Sequence, residues 1–294
     1  MNIDNKISFI FILAFLQGCN VGNSDFSSSI IAGVIQPAPV AENIDYCPSK
    51  QPHSYENYSL LWLENFDDVG LNQSNWNFMY GDGQNYGVPG WGNNELQSYT
   101  DSTENIYLNA GCLFIIPTYN TSSDETGYES ARINSQNKRK FKYGRVDIRA
   151  KLPTGVGTWP ALWMLGANYS EVGWPECGEI DIMEHWGHDP TVIAGSIHTP
   201  MSHGDTWTDG HTIVNDYDQE FHIYSIDWNQ NRIQFFVDDV LYYTYNPSPK
   251  NDENWPFDQD AFFIINVAMG GHWFDIDPNF VESTMEVDYI RVYQ

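Results

Sequence analysis

The chain has 294 residues, of which 41% are hydrophobic and 18% charged, a composition typical of a globular protein that buries a core. Its 13 Lys and Arg stand against 39 Asp and Glu, giving a formal net charge of -26. Such a charge repels phosphate backbones and anionic bilayers, which excludes nucleic acid as a partner and disfavours heavily sulfated or uronate polymers as substrates.

The first nineteen residues resemble a lipoprotein signal peptide. Lys6 precedes an apolar run, Ile7–Leu16, that is too short to span a bilayer as a helix. Gln17-Gly18-Cys19 then resembles a bacterial lipobox, whose Cys receives diacylglycerol; an ordinary signal peptide is the alternative. We expect residues 1–19 to be removed or modified at Cys19, and the protein to be secreted and lipid-anchored at the cell envelope, at an outer membrane if the host has one.

Residues 20–53 are rich in Ser, Asn, Ala and Pro without sustained periodicity, which predicts a flexible tether. After Cys19, three cysteines remain, so one disulfide and one free thiol are allowed. An oxidising compartment permits a bridge between Cys47 and Cys112, but the sequence does not establish it. Cys177 is predicted to be a buried packing residue.

From residue 54 onward, short β-branched and aromatic runs recur between clusters of Gly, Asn, Asp and Pro. This spacing predicts an all-β sandwich within one domain, 54–294. No helix-length amphipathic stretch and no repeat of fixed period is found. The predicted strand segments include Cys112–Pro117, Tyr143–Leu152, Phe221–Trp228, Arg232–Val237, Phe262–Ala268 and Met285–Tyr293.

One predicted strand concentrates acidic residues, in the segment GEIDIME at 178–184. Residues two apart in a strand share a face, so Glu179 and Asp181 point one way while the isoleucines point the other. Strict alternation would turn Glu184 away. A one-residue β-bulge around Met183 would return Glu184 to the acidic face.

Three acids on one face repel one another and raise the pKa of at least one carboxyl. Retaining glycoside hydrolysis uses such a contrast, because one carboxylate attacks the anomeric carbon while a second, protonated carboxyl donates to the leaving oxygen. An isolated Glu-x-Asp pair is more often a solvated face of an edge strand. The flanking residues therefore decide between the two interpretations.

Those flanking residues resemble the active-site signature of glycoside hydrolase family 16, in the bulged form typical of laminarinases. The resemblance spans residues 58–294. It implies a jelly-roll β-sandwich of two antiparallel sheets, similar to concanavalin A, with the acidic strand in a cleft on the concave face. It also implies hydrolysis of a neutral β-1,3-glucan without a catalytic cofactor. The other matching segments are Trp91–Thr100, Gly127–Ile133, Tyr143–Arg145, Lys151–Gly166, Phe221–Val237 and Pro256–Trp273.

Carried over by position, the resemblance makes Glu179 the nucleophile, Asp181 its assisting residue and Glu184 the acid/base. His198 is expected to bond the sugar or the acid pair, with a purely structural histidine as the alternative. The remaining residues are expected to line the cleft, the first three of them near the negative subsites; they are Asn93 or Asn94, Arg132, Trp159 and Trp163.

The residues after Glu184 depart from the family pattern, and the resemblance also implies a calcium site. His185-Trp186 follows Glu184, where laminarinases commonly place an aromatic residue first. Many relatives bind a structural calcium ion through oxygen ligands, which suit that metal. The matching positions are Glu64, the Gly111 carbonyl and Asp288; the alternative for Asp288 is an ordinary strand residue.

Other functions remain open at this point. Within the family the alternatives are a mixed-linkage β-1,3-1,4-glucanase, an agarase and a carrageenase; the bulge at Met183 argues against a strict lichenase, and the net charge argues against carrageenan. A lectin-like carbohydrate-binding protein shares the same architecture. No zinc motif and no Ser nucleophile elbow is present. We expect a monomer whose partner is a neutral polysaccharide.

Overall fold

The structure is a computed structural model that describes residues 47, 52–120, 127–204, 206, 208–272 and 274–294. The predicted signal peptide, the lipidation site Cys19, Trp273 and nearly all of the predicted tether lie outside these residues. In the described residues, no helix has both the length and the apolar character needed to cross a membrane.

β-Strands are the main regular secondary structure of the described residues. A single α-helical turn, α1, covers Tyr169–Val172, and two 3-10 turns cover Gln84–Tyr86 and Pro89–Gly92. In chain order the strands are β1 Leu60–Glu64, β2 Asn77–Met79, β3 Gln97–Tyr99, β4 Ile106–Asn109, β5 Cys112–Ile115, β6 Thr118–Tyr119, β7 Tyr128–Ser130, β8 Arg132–Asn134, β9 Gly144–Lys151, β10 Thr158–Gly166, β11 Glu179–His185, β12 Val192–His198, β13 Asp209–Ile213, β14 His222–Trp228, β15 Ile233–Val237, β16 Val240–Tyr245, β17 Ala261–Met269 and β18 Met285–Tyr293.

Two large antiparallel sheets form the predicted jelly-roll sandwich. The larger, eight-stranded sheet has the order β16-β15-β14-β9-β18-β5-β4, with β1 also paired to β18. The seven-stranded sheet has the order β13-β12-β11-β10-β17-β8-β2, which places the acidic strand β11 near its middle. A small third sheet, β3-β7-β6, contains a parallel pair.

Alternation along the strands builds the core between the two sheets. Val146 and Ile148 of β9 belong to one cluster of buried side chains that also contains Ile180 and Ile182 of β11. Apolar residues at every second position thus point inward from both sheets. The intervening residues of β11 point to the opposite face, where the site is found.

A disulfide joins Cys47 to Cys112 across 5.6 Å between their Cα atoms, a separation ordinary for a disulfide. The Cys47 amide also donates to the Ala110 carbonyl at 3.2 Å. Cys47 falls within the predicted tether, and at that residue the chain is joined to the sandwich. Cys177 is a buried free thiol, as predicted.

Candidate active site

A β-bulge lies in β11, as the sequence predicts. Against β10, Leu162 pairs with Met183 and Trp163 pairs with Asp181, so the register skips Ile182. Against β12 the register shifts between Asp181 and Glu184. Ile182 and Met183 are 1% and 0% exposed in the core. The bulge therefore buries two consecutive apolar side chains and returns Glu184 to the face of Glu179 and Asp181.

This face forms the floor of a cleft of about 870 Å³. All three acids of β11 line it, together with aromatic and amide side chains from neighbouring strands and loops. The cleft is of the size that holds small organic ligands. The three acids therefore face a cavity that is large enough to receive a substrate.

Glu184 is the more enclosed of the two glutamates, with 8% of the residue exposed. Trp159 Nε1 donates to its Oε1 at 3.0 Å, and Ser196 Oγ donates to its Oε2 at 2.8 Å. Burial is the main cause that raises the pKa of Glu184, and the charge of Glu179 raises it further. A carboxyl that keeps its proton is suited to act as a general acid.

Glu179 is more open to the cleft, with 17% of its side chain exposed. Trp174 Nε1 donates to its Oε2 at 2.8 Å. Its Oε1 lies 3.9 Å from His198 Nε2. The more accessible of the two glutamates is the one suited to contact a substrate carbon as a nucleophile.

Asp181 lies between the two glutamates and is 3% exposed. Burial, followed by the charges of Glu179 and Glu184, raises the pKa of Asp181 well above its usual range. Its Oδ2 lies 3.3 Å from His198 Nε2. His198 thus contacts two of the three acids, and it also lines the cleft.

His198 supplies positive charge to this cluster. Burial lowers its pKa, but the hydrogen bond to Asp181 and the three nearby carboxylates outweigh burial and raise the pKa to about 10. Glu179, Asp181 and His198 each place one ligand atom within 4.8 Å of the others, a spacing that could hold a metal ion.

Five of the predicted substrate residues line the cleft: Asn93, Arg132, Trp159, Trp163 and His198. The Arg132 guanidinium lies 4.5 Å from the Trp91 ring centroid and 4.8 Å from that of Trp163, an arrangement with cation–π character on both sides. This packing fixes a planar donor at the cleft wall.

Of the two asparagines that the sequence left open, Asn93 is the one that lines the cleft. Its Nδ2 donates to Glu95 Oε1 at 3.1 Å. Asn94 is not among the lining residues, and its Nδ2 lies 3.0 Å from His272 Nδ1. The choice between Asn93 and Asn94 therefore falls on Asn93.

The departure at His185 also has a structural explanation. His185 is fully buried, its Nδ1 lies 3.0 Å from the Val192 carbonyl oxygen, and its ring packs 4.5 Å from that of Tyr217. Trp186, the next residue, lines the cleft. Trp186 thus supplies an aromatic side chain to the cleft one position after His185.

Several cleft residues were missed by sequence reasoning. Trp174 and Ser196 donate to the two glutamates, and Glu95 and Asn266 hold Asn93 and Trp163. Trp174 had one available signal, since it lies five residues before Glu179. Ser196 had none, because it reaches Glu184 only through the pairing of β12 with β11.

The predicted calcium ligands were Glu64, Gly111 and Asp288. Both carboxylates already hold protein donors: Glu64 Oε2 accepts from Asn75 Nδ2 at 2.9 Å and Trp76 Nε1 at 3.0 Å, and Asp288 pairs with the Arg149 guanidinium. A cation beside Asp288 opposes a second cation there. As arranged, this set of residues does not fit calcium.

Comparison with known proteins agrees with this geometry. The model of glycosyl hydrolases family 16 matches residues 88–291. The chain is 37% identical to a beta-glucanase of Rhodothermus marinus, over 97% of this chain and 93% of that protein. It is also 37% identical to the glucan endo-1,3-beta-glucosidase A1 of Niallia circulans, over 94% of this chain but 44% of that protein.

A solved structure gives the same result at the level of the fold. The laminarinase from Flavobacterium sp. UMI-01 superposes with a TM-score of 0.76 and 44% identity, covering 80% of this chain and all of that one. Its match takes in the sandwich that carries the bulged acidic strand. On the family match and these relatives, the chain belongs to glycosyl hydrolases family 16 and is a glycoside hydrolase.

Proposed function

We propose that this glycoside hydrolase is an endo-β-1,3-glucanase that cleaves neutral glucans of the laminarin type with retention of configuration. The observation that carries the proposal is the pair Glu179 and Glu184 on one face of β11, in different surroundings. Glu184 is buried and its pKa is raised, whereas the side chain of Glu179 is more open to the cleft. Two carboxyls with separated roles are what double displacement needs.

In the first step Glu179 attacks the anomeric carbon while Glu184 gives its proton to the glycosidic oxygen, so the leaving chain departs as an alcohol. In the second step Glu184 takes a proton from water, and the hydroxyl adds to the anomeric carbon as its bond to Glu179 breaks. Both residues return to their starting states. His198 Nε2 lies 3.9 Å from Glu179 Oε1 and 3.3 Å from Asp181 Oδ2, so both residues lie beside the nucleophile, where they can orient its carboxylate.

The linkage preference is supported by the named activities of the relatives and by the bulge at Met183. The net charge of -26 and the Trp-lined cleft favour an uncharged sugar chain. A mixed-linkage glucanase or an agarase of the same family is the alternative, as is a lectin-like binding protein. Product analysis on laminarin, lichenan, agarose and carrageenan separates them; binding to laminarin without release of oligosaccharides would favour the lectin.

Retention and the two roles are tested with azide. Glu179→Ala should regain cleavage of an activated aryl glycoside in azide and give a product of inverted configuration. Glu184→Ala should give a glycosyl azide of retained configuration, because a good leaving group needs no proton. If proton NMR shows the α-anomer released first from a β-glucan by the wild type, the enzyme inverts and these roles are wrong.

The lipid anchor at Cys19 and secretion are part of the proposal. The disulfide between Cys47 and Cys112 supports an oxidising compartment. Metabolic labelling with a fatty acid should tag the wild type and not Cys19→Ala. Label retained by Cys19→Ala would remove the anchor from the proposal. Calcium is left out of it, because Glu64 and Asp288 already hold other partners.

A further inference from the structure

Three tryptophans of the cleft direct their indole N–H groups to three different acceptors. Trp159 Nε1 donates to Glu184 Oε1 at 3.0 Å, and Trp174 Nε1 donates to Glu179 Oε2 at 2.8 Å. Trp163 Nε1 donates instead to the neutral amide oxygen of Asn266 at 2.8 Å. Each proposed catalytic glutamate therefore has an indole donor of its own, and a third indole provides an internal reference.

Trp174 lies in a turn whose position relative to Glu179 is fixed. The Cys177 amide donates to the Gly173 carbonyl at 2.9 Å, and the Gly178 amide donates to the Pro175 carbonyl at 3.0 Å. Gly178 has a φ of +74°, and a Cβ there would lie 2.8 Å from both Pro256 and Phe257. Because Gly178 leads directly into β11, the turn delivers the indole to the first residue of that strand.

The ring of Trp174 is also unusually open. It is 42% exposed although it lines the cleft, and it makes an edge contact with the His203 ring at 5.2 Å between centroids. A large apolar ring exposed beside a site is a common feature of ligand-binding surfaces. Its single polar atom nevertheless faces the carboxylate of Glu179, which a ring serving only as a wall of the cleft does not require.

We propose that Trp174 is a positioning residue for the nucleophile: its N–H holds Glu179 Oε2 and leaves Oε1 as the attacking oxygen. This inference rests on the proposed role of Glu179. A hydrogen bond to a charged acceptor is short and strong, and it restricts rotation of the carboxylate. Fixing one oxygen keeps the other in line with the anomeric carbon, where a displacement of about 1 Å can cost on the order of a hundredfold in rate.

The test is Trp174→Phe, which keeps an aromatic ring and removes the N–H. We expect kcat on laminarin to fall by roughly 10- to 100-fold with a much smaller change in KM. The acid limb of the kcat/KM profile should move to higher pH, because the ionised carboxylate has lost a donor. A second variant carries 3-benzothienylalanine at position 174, in which sulfur replaces the N–H within the same bicyclic shape; it should behave like Trp174→Phe.

Two matched variants complete the experiment. Trp159→Phe removes the donor to Glu184 and should move the alkaline limb to higher pH, since the ionised form of Glu184 is less stabilised. Trp163→Phe removes a donor to an amide and should leave both limbs in place, whatever it does to the rate. Melting temperatures of all variants establish that each is folded.

Two results would overturn the inference while the proposed function stands. One is an active wild type whose acid limb and kcat are unchanged in Trp174→Phe. The other is wild-type kinetics in the benzothienyl variant, which would assign any effect of Trp174→Phe to ring shape. A wild type that cleaves none of the four polysaccharides would overturn the proposed function and this inference with it.

Discussion

Two regions of the molecule bury acidic side chains at alternate positions of a strand, and they differ in whether each acid is paired with a lysine or an arginine. On β9 and β18 the acids alternate with core residues and point away from the space between the sheets. Each has a basic partner: Asp147 lies 2.8 Å from Arg145, and Glu286 lies 2.7 Å from Lys151. Asp288 pairs with Arg149.

On β11 the acids of the cleft have no such arrangement. Within the described part of the chain, the ion pairs that Glu179 and Asp181 make involve only His198. Glu184 relies on the neutral donors Trp159 and Ser196. A basic partner offsets the cost of burying a carboxylate, whereas in the cleft burial raises the pKa of Asp181 and Glu184. The comparison indicates that charge balance, not burial, separates the structural acids from the functional ones.

The largest expected effect is on activity and comes from the cleft. Glu179→Gln should lower hydrolysis of laminarin by on the order of 10⁴-fold or more, because the nucleophile is lost. The free energy of unfolding should not fall, because one of three mutually repelling acids has been neutralised. Initial rates and urea unfolding measure the two quantities. Glu176→Gln is the matched control, since Glu176 is exposed three residues away; both quantities should be unchanged.

The opposite result is expected for the neutralised cluster. Asp147→Asn leaves Arg145 with Asp239, which is 49% exposed, in place of a buried partner. It should lower the free energy of unfolding by about 3 kcal/mol, with kcat on laminarin unchanged. Urea unfolding gives the first quantity. The control is Asp260→Asn, whose pair with Lys140 is 40% and 58% exposed and is worth less than about 1 kcal/mol. Equal losses in the two variants, or a fall in kcat, would break the comparison.

A smaller effect is expected in the pH dependence of stability. The folded-state pKa values of Asp181 and Glu184 are raised, so the folded protein binds more protons than the unfolded chain above about pH 4. Their contribution is fully present below that pH and is lost as pH rises through the folded pKa. His198, raised to about 10, acts in the same direction and loses its contribution between about pH 6.5 and 10.

Stability should therefore decline between pH 5 and pH 8, and Asp181→Asn should make that decline shallower because it removes one acid and weakens the hold on the His198 proton. Urea unfolding at several pH values measures the slope. Glu176→Gln should parallel the wild type. A slope unaffected by Asp181→Asn would show that the cleft acids do not titrate as this cluster requires.

The smallest expected effect concerns calcium. Because Asp288 is paired with Arg149 and Glu64 accepts from Asn75 and Trp76, excess EDTA should change the melting temperature by less than about 2 °C. Calcium added back to the chelated protein should have equally little effect. If EDTA lowered the melting temperature by several degrees and calcium reversed the change, the metal site would be supported. Asp288 would then not belong with the acids that have only a basic protein partner.

Local periodicity made the acidic strand predictable from sequence. Glu179 and Asp181 share a face because side chains alternate, and the bulge follows from Glu184 standing one place out of phase. The motif around them indicated the family and the sandwich. At residue 47 the sequence allowed a disulfide without establishing it, and the structure shows that the disulfide joins this residue to β5.

The sequence by itself determined which strand carries the acids, which face they share and what kind of fold surrounds them, because these depend on residues next to one another in the chain. Only the tertiary structure decided what each acid meets. Trp174 and Ser196 reach their glutamates, Asn93 rather than Asn94 faces the cleft, and Arg149 meets Asp288. These contacts depend on strand pairing and on loops that return from distant parts of the chain, and no local pattern encodes such distances.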